Sequence, residues 1–112
     1  MGTAIPEKDW KYLRSVQSEL LSSLCERINR KAIEILRSGA MSERDKYRAL
    51  YQHILDSDEI VAKCFDDWRR SNILLKVVML HRNSLLPEEH MRHLSDETTN
   101  LLRNVDQISE KK

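Results

Sequence analysis

Apolar residues recur three and four positions apart along most of this chain, with polar residues between them, the signature of helices buried on one side. The first stripe, Trp10, Leu13, Val16, Leu20, Leu21, Leu24, Ile28, Ala32 and Ile35, predicts a helix over 6–37. Pro6 suits its first position, Glu7 and Asp9 lie near the positive end of its dipole, and Gly39 after Ser38 offers a left-handed cap. Cys25, Ile33 and Leu36 drift to one side of that stripe, so the two ends of the helix are expected to face different neighbours. Ser42, followed by Glu43 and Asp45, is an N-cap for a second helix whose inner face reads Tyr47, Leu50, Tyr51 and Ile54.

Asp56-Ser57-Asp58-Glu59 has the form of another cap and predicts a break, giving helices over 42–55 and 58–83. Ile54, Val61, Cys64 and Trp68 keep one phase across it, so a continuous helix is the alternative, with Ser71-Asn72 as a second place for a kink. Residues 73–80 hold seven apolar side chains in eight, interrupted only by Lys76. A segment apolar nearly all round must be enclosed on most sides, by its own chain or by a second copy. No other run alternates with period two, so there is no strand for it to pair with, and it is read as helix. Pro87, Glu88 and Glu89 open a last helix over 87–108, in which Met91, Leu94, Thr98, Leu101, Val105 and Ile108 alternate like the core positions of a coiled coil. The predicted fold class is all-α, a single-domain bundle of four main helices centred on 73–80, with residues 1–5 and 109–112 frayed.

Composition agrees with this. A chain of 112 residues makes one domain, and two glycines and two prolines leave little material for hairpin turns. Charged residues make up 33%, with 19 basic against 18 acidic, which suits helices with paired surface charges and gives no global pull toward nucleic acid or anionic membrane. No apolar run approaches the ~18 residues of a membrane span, and residues 1–6 lack the basic and apolar regions of a signal peptide. A cytoplasmic location, away from membranes, is the expectation. Cys25 and Cys64 form no C-x-x-C pair and fall beside apolar positions, so both are expected to be buried, reduced thiols.

Candidate chemistry is sparse. His90 and His93, with Glu89, have ligand-like spacing but no third ligand in sequence, so exposed histidines and no metal or cofactor are expected. Phe65-Asp66-Asp67-Trp68-Arg69-Arg70 is the most distinctive hexamer. It could form a pocket of Asp66, Asp67, Trp68 and Arg69; the plainer reading buries Phe65 and Trp68 and pairs Asp66 with Arg70 and Lys63 with Asp67 along a helix. Arg27, Arg30, Lys31 and Arg37, continued by Arg44 and Arg48, form a candidate anion-binding face, while residues 56–67 carry five acids against one lysine. That polarity suits self-association as well as a polyanion. Trp10, Tyr12, Tyr47, Tyr51 and Trp68 fall on stripe positions and read as core. No nucleophile elbow, glycine-rich phosphate loop or H-E-x-x-H motif supports catalysis.

The functional expectation is a small cytoplasmic helical protein-interaction module, regulatory or structural, pairing with itself or another helical protein. Its candidate interface residues are Ile73, Leu74, Val77, Leu80, Met91, Leu94, Leu101 and Val105. The alternative is a nucleic-acid-associated protein using the basic residues of the first helix and the start of the second.

Overall fold

A computed structural model describes the backbone of residues 5–110 and the side chains of residues 5–107. The described residues form five helices and no strand: α1 (Glu7–Arg37), α2 (Glu43–Phe65), α3 (Ile73–Arg82), α4 (Glu88–Met91) and α5 (Asp96–Glu110). The all-α class stands. The predicted fraying of 1–5 and 109–112 falls mostly outside the described residues, although Ile5 packs against the core. The side chain of Ile108 also lies outside them.

α1 and α2 make a long antiparallel hairpin, and α3 to α5 pack against one end of it. A helix as long as α1 runs about 46 Å at 1.5 Å per residue, nearly the full 52 Å length of the molecule. Its N-terminus is capped by Pro6, whose carbonyl accepts from the Asp9 and Trp10 amides, so the helix begins at Glu7, one position later than expected. The left-handed cap at Gly39 is not used. Ser38 is extended, and the Ser38 hydroxyl accepts from the Ala40 amide to close the turn. Ser42 caps α2 as expected, accepting from the Asp45 amide at 3.1 Å.

The second break lies elsewhere than predicted. α2 runs straight through Asp56-Ser57-Asp58-Glu59, with Ser57 buried on the side that faces α1 and Gln52 donating to Asp56 one turn on. The chain breaks instead at 66–72, where the last carbonyls of α2 find partners other than the next turn. Trp68 Nε1 donates to the Cys64 carbonyl at 2.7 Å, and Lys76 Nζ donates to the Ala62 and Lys63 carbonyls. The single charge inside the apolar octet is therefore the C-terminal cap of the preceding helix. Asp67 takes a left-handed conformation (φ 55°), and the Asn72 side chain bonds the Asp67 carbonyl and the Arg69 amide to hold the loop. The predicted Asp66–Arg70 and Lys63–Asp67 pairs do not form. Arg69 turns back to Asp67, and Arg70 reaches Glu7 at 2.6 Å across the face of Trp10.

α3 ends in a Schellman-type turn with Ser84, not glycine, in the left-handed position (φ 57°): the Leu85 amide bonds the Leu80 carbonyl and the Ser84 amide the His81 carbonyl. Arg27 of α1 donates to the Asn83 and Ser84 carbonyls there, at 2.5 and 2.8 Å.

The predicted last helix is two helices. Asp9, fully buried in the first turn of α1, accepts from the Ser95 amide (2.8 Å), the Ser95 hydroxyl (2.7 Å) and the Thr98 hydroxyl. Ser95 caps α5, its hydroxyl oxygen accepting from the Thr98 amide. In an ordinary capping box a side chain of the same helix takes the cap residue's own amide; here a carboxylate from another helix does so. The break moves the innermost contact of α5 from Leu101 to Leu102, which is wholly buried beside Thr98.

The core is Leu13, Leu20 and Leu24 of α1, Cys64 and Phe65 of α2, Ile73, Val77 and Leu80 of α3, and Leu85, Leu86, Leu94 and Leu102 beyond them. It draws on α1 no farther than Ile28 and on α2 only from Ile60 onward. The intervening stretch, residues 29–59, projects as an arm in which only Ile35 and Ser57 are buried.

Cys64 lies in the core, but Cys25 is exposed, against expectation, because α3 to α5 cover a different side of α1. Burial pushes the Cys64 thiol above its ordinary value, with Lys76 and the Asn83 amide pulling the other way. In the native protein a disulfide reagent is expected to titrate Cys25 at once and Cys64 about 10³-fold more slowly, at the rate of opening. Equal rates for the two thiols in Cys25→Ser and Cys64→Ser variants would contradict the packing of α3 on α2.

Candidate functional site

The polar contacts in the body are consumed by structure. Tyr12 and Glu19 of α1 are two turns apart on one face, and α4 brings His90 between them. Its Nδ1 pairs with the Tyr12 hydroxyl at 2.7 Å and its Nε2 with Glu19 at 3.2 Å. His93 stacks on Tyr12 with ring centroids 4.7 Å apart. Burial first, then the charges of Glu19 and Glu89, hold the Tyr12 hydroxyl above its usual range. Both ring nitrogens of His90 are thus occupied, and the cluster acts as a clasp between α4 and α1. Of the two histidines expected to be exposed, His93 is and His90 is not. His90 is buried, while His53 and His81 are half-buried against the Ile28 carbonyl and Asp106. Among the described residues no group of three His, Cys, Asp or Glu side chains is placed to hold a metal ion, and no helix is long and apolar enough to cross a membrane.

The hexamer at 65–70 splits between core and solvent. Phe65 is buried and stacked on a half-buried Trp68, whereas Asp66, Asp67 and Arg69 are exposed. None of these side chains lines the hollow beside Leu75 or the one between the helices of the hairpin.

The basic residues are also largely engaged. Arg27 holds the end of α3, Arg30 pairs with Glu26 at 3.2 Å, and Lys31 lies 4.0 Å from Glu34. Arg37 is exposed at the end of α1, and Arg44 and Arg48 are exposed on the first turns of α2. Arg27 and Lys31 do border a hollow of about 210 Å³ between the helices of the hairpin, but Leu24, Ile28 and Ile60 form much of its wall.

Of the candidate interface residues, Ile73, Val77, Leu80 and Leu94 lie inside the protomer's own core. Leu74, Met91, Leu101 and Val105 are half-buried at its edges. The octet is not enclosed on all sides within one chain: Leu75 is 62% exposed, and with Leu74, Val78, Ser71 and Asn72 it lines a shallow hollow of about 400 Å³.

Most of the exposed large apolar side chains among the described residues lie on the hairpin, and three of them, Tyr47, Tyr51 and Ile54, are ones the sequence pattern reads as core. Tyr47 is 70% exposed and Tyr51 60%, and Ile54, Leu55, Ile33 and Leu36 are open as well. All six belong to the arm. Counting round each helix from the residues that face its partner puts Cys25 and Leu36 of α1 and Tyr47, Tyr51 and Ile54 of α2 on one flank, away from α3 to α5. The bond between His53 and the Ile28 carbonyl sets the antiparallel register, which brings Leu36 level with the start of α2. The signal available in the sequence was the drift of Cys25, Ile33 and Leu36 off the main stripe of α1. A comparison with known protein families, curated proteins and solved structures found no match to this chain.

Proposed function

We propose that this chain is a small helical protein-interaction module, structural or regulatory, that works as a homodimer in the cytoplasm. The observation that carries this reading is one flank of the arm, to which the two helices turn four large exposed apolar side chains, Leu36, Tyr47, Tyr51 and Ile54, two of them tyrosines more than half exposed. Apolar side chains scattered singly over a surface are ordinary, but a contiguous patch of them marks a place where protein surface is covered in use. Tyrosine is enriched in such contacts because it offers a large rigid area with a polar tip. The hollow beside Leu75 and the half-buried Leu74, Met91, Leu101 and Val105 add apolar edge to the body, while Ile73, Val77, Leu80 and Leu94 serve to hold the protomer together. Two thiols on separate helices, one exposed and neither in a disulfide, suit a reducing compartment. An anion-binding role for Arg27, Arg30, Lys31 and Arg37 has less support, since Arg27 is held by the Asn83 and Ser84 carbonyls and Arg30 and Lys31 each have a carboxylate, Glu26 and Glu34, one turn away.

Sedimentation velocity across a concentration series tests the reading. A reversible dimer with a micromolar or tighter dissociation constant is expected. A particle of 13.2 kDa at every concentration up to millimolar would overturn it.

A further inference from the structure

We infer that the second copy lies antiparallel along α2, with Tyr51 on the two-fold axis. This rests on the self-association reading and adds its geometry. Arg44, Tyr47, Tyr51, Ile54 and Asp58 follow one another at intervals of three and four residues, the spacing of a coiled-coil seam about 21 Å long. All five are exposed.

Arg44 and Asp58 each stand seven residues from Tyr51. A two-fold axis at Tyr51 therefore brings Arg44 of each copy opposite Asp58 of the other, twice over. The same operation sets Tyr47 against Ile54 and Leu55 of the other copy, and Tyr51 against its own mate. Arg48 strengthens the basic end and Glu59 the acidic end. None of Arg44, Arg48, Asp58 and Glu59 has an ion-pair partner within the protomer among the described residues, whereas Lys46 and Glu43 beside them pair with each other at 3.0 Å. The charges left over are the ones a second copy would use. A parallel arrangement puts arginine beside arginine and aspartate beside aspartate, which like-charge repulsion disfavours. The antiparallel seam is self-complementary in both charge and apolar content, which a dimer with two-fold symmetry requires and a surface for a heterologous partner does not.

A charge-exchange experiment tests this on the full chain. Arg44→Glu alone sets two carboxylates against each other at both ends of the seam, and Asp58→Arg alone sets two guanidinium groups together. Each variant is expected to dimerise at least about tenfold more weakly than the wild type. An equimolar mixture of the two is expected to regain near wild-type affinity. In the mixed dimer the glutamate introduced into one chain meets the arginine introduced into the other, and at the opposite end the native Asp58 and Arg44 pair as before. Tyr51→Asp is expected to abolish the dimer while leaving the circular dichroism spectrum and melting temperature of the protomer unchanged, since Tyr51 is exposed. A dimer whose affinity ignores all three substitutions overturns the α2 seam and leaves the self-association reading standing. A wild-type chain that is monomeric throughout removes both. Weakening by each single variant without recovery in the mixture also overturns the seam, since it assigns the charges to some other contact.

Discussion

Val77→Asp is expected to leave no cooperatively folded protein, while Leu75→Asp, two positions earlier in the same apolar octet, is expected to fold like the wild type. Val77 is wholly buried in the core cluster with the leucines of α1 and α5. An aspartate there has no cation or donor within the cluster, and burying an unpaired carboxylate costs several kcal/mol. That cost is added to the loss of the packed valine, about 1–3 kcal/mol. Together they match the whole stability of a small domain, about 5–15 kcal/mol. Leu75 stands 62% exposed over its hollow, so a carboxylate there remains in water. The sequence pattern alone treats these positions alike. Circular dichroism melts and binding of a hydrophobic dye to each variant decide the matter. A cooperative melt for Val77→Asp near the wild-type temperature would place α3 outside the core.

Asp9→Ala is expected to lower stability by about 3–5 kcal/mol, the usual result of removing one member of a buried, charged hydrogen-bond cluster. Three donors lose their acceptor at once: the Ser95 amide and the hydroxyls of Ser95 and Thr98. Thr98 is 1% exposed, so water cannot replace the carboxylate without an opening. For a domain of this size that loss corresponds to a fall of roughly 10–25 °C in melting temperature. Asp9→Asn keeps one acceptor oxygen and is expected to lose less. Hydrogen exchange provides a local check, since the Ser95 amide should lose its protection in Asp9→Ala before the α2 amides do. A change in melting temperature of only a degree or two would mean that α5 is held by its apolar contacts alone.

The two substitutions also mark how far the chain could be read from its letters. The helical periodicity of α1 needed nothing but local sequence, because an amphipathic stripe with Pro6 before it and Ser38-Gly39 after it has few other ways to be buried. The same is true of the Ser42 cap and of the helical state of 73–80. The breaks were less legible. Asp56-Ser57-Asp58-Glu59 and the true terminator at 66–72 both carry cap-forming residues, and the choice between them was made by Lys76 and Trp68, which reach back from beyond the helix to its last carbonyls. Ser95 could be read as a mid-helix serine because its amide partner, Asp9, is 86 residues away.

Tyr47, Tyr51 and Ile54 illustrate the other limit. Their spacing reads as a buried face, and in that sense they are made to be covered, but spacing does not say by what. The body formed by α3 to α5 is too short to reach along both arms of the hairpin, so α1 and α2 cover each other on one side and leave the adjoining flank open. The octet divides for a related reason: ten residues of α3 can turn only one side to the core, leaving Leu75 outside. Local chemistry by itself determined that this protein is helical, where most of its helices begin, and that it carries more apolar surface than simple stripes need. Only the three-dimensional packing decided which of that surface is interior, because burial depends on the lengths and placement of neighbouring helices, and those are set by contacts between residues far apart in the chain.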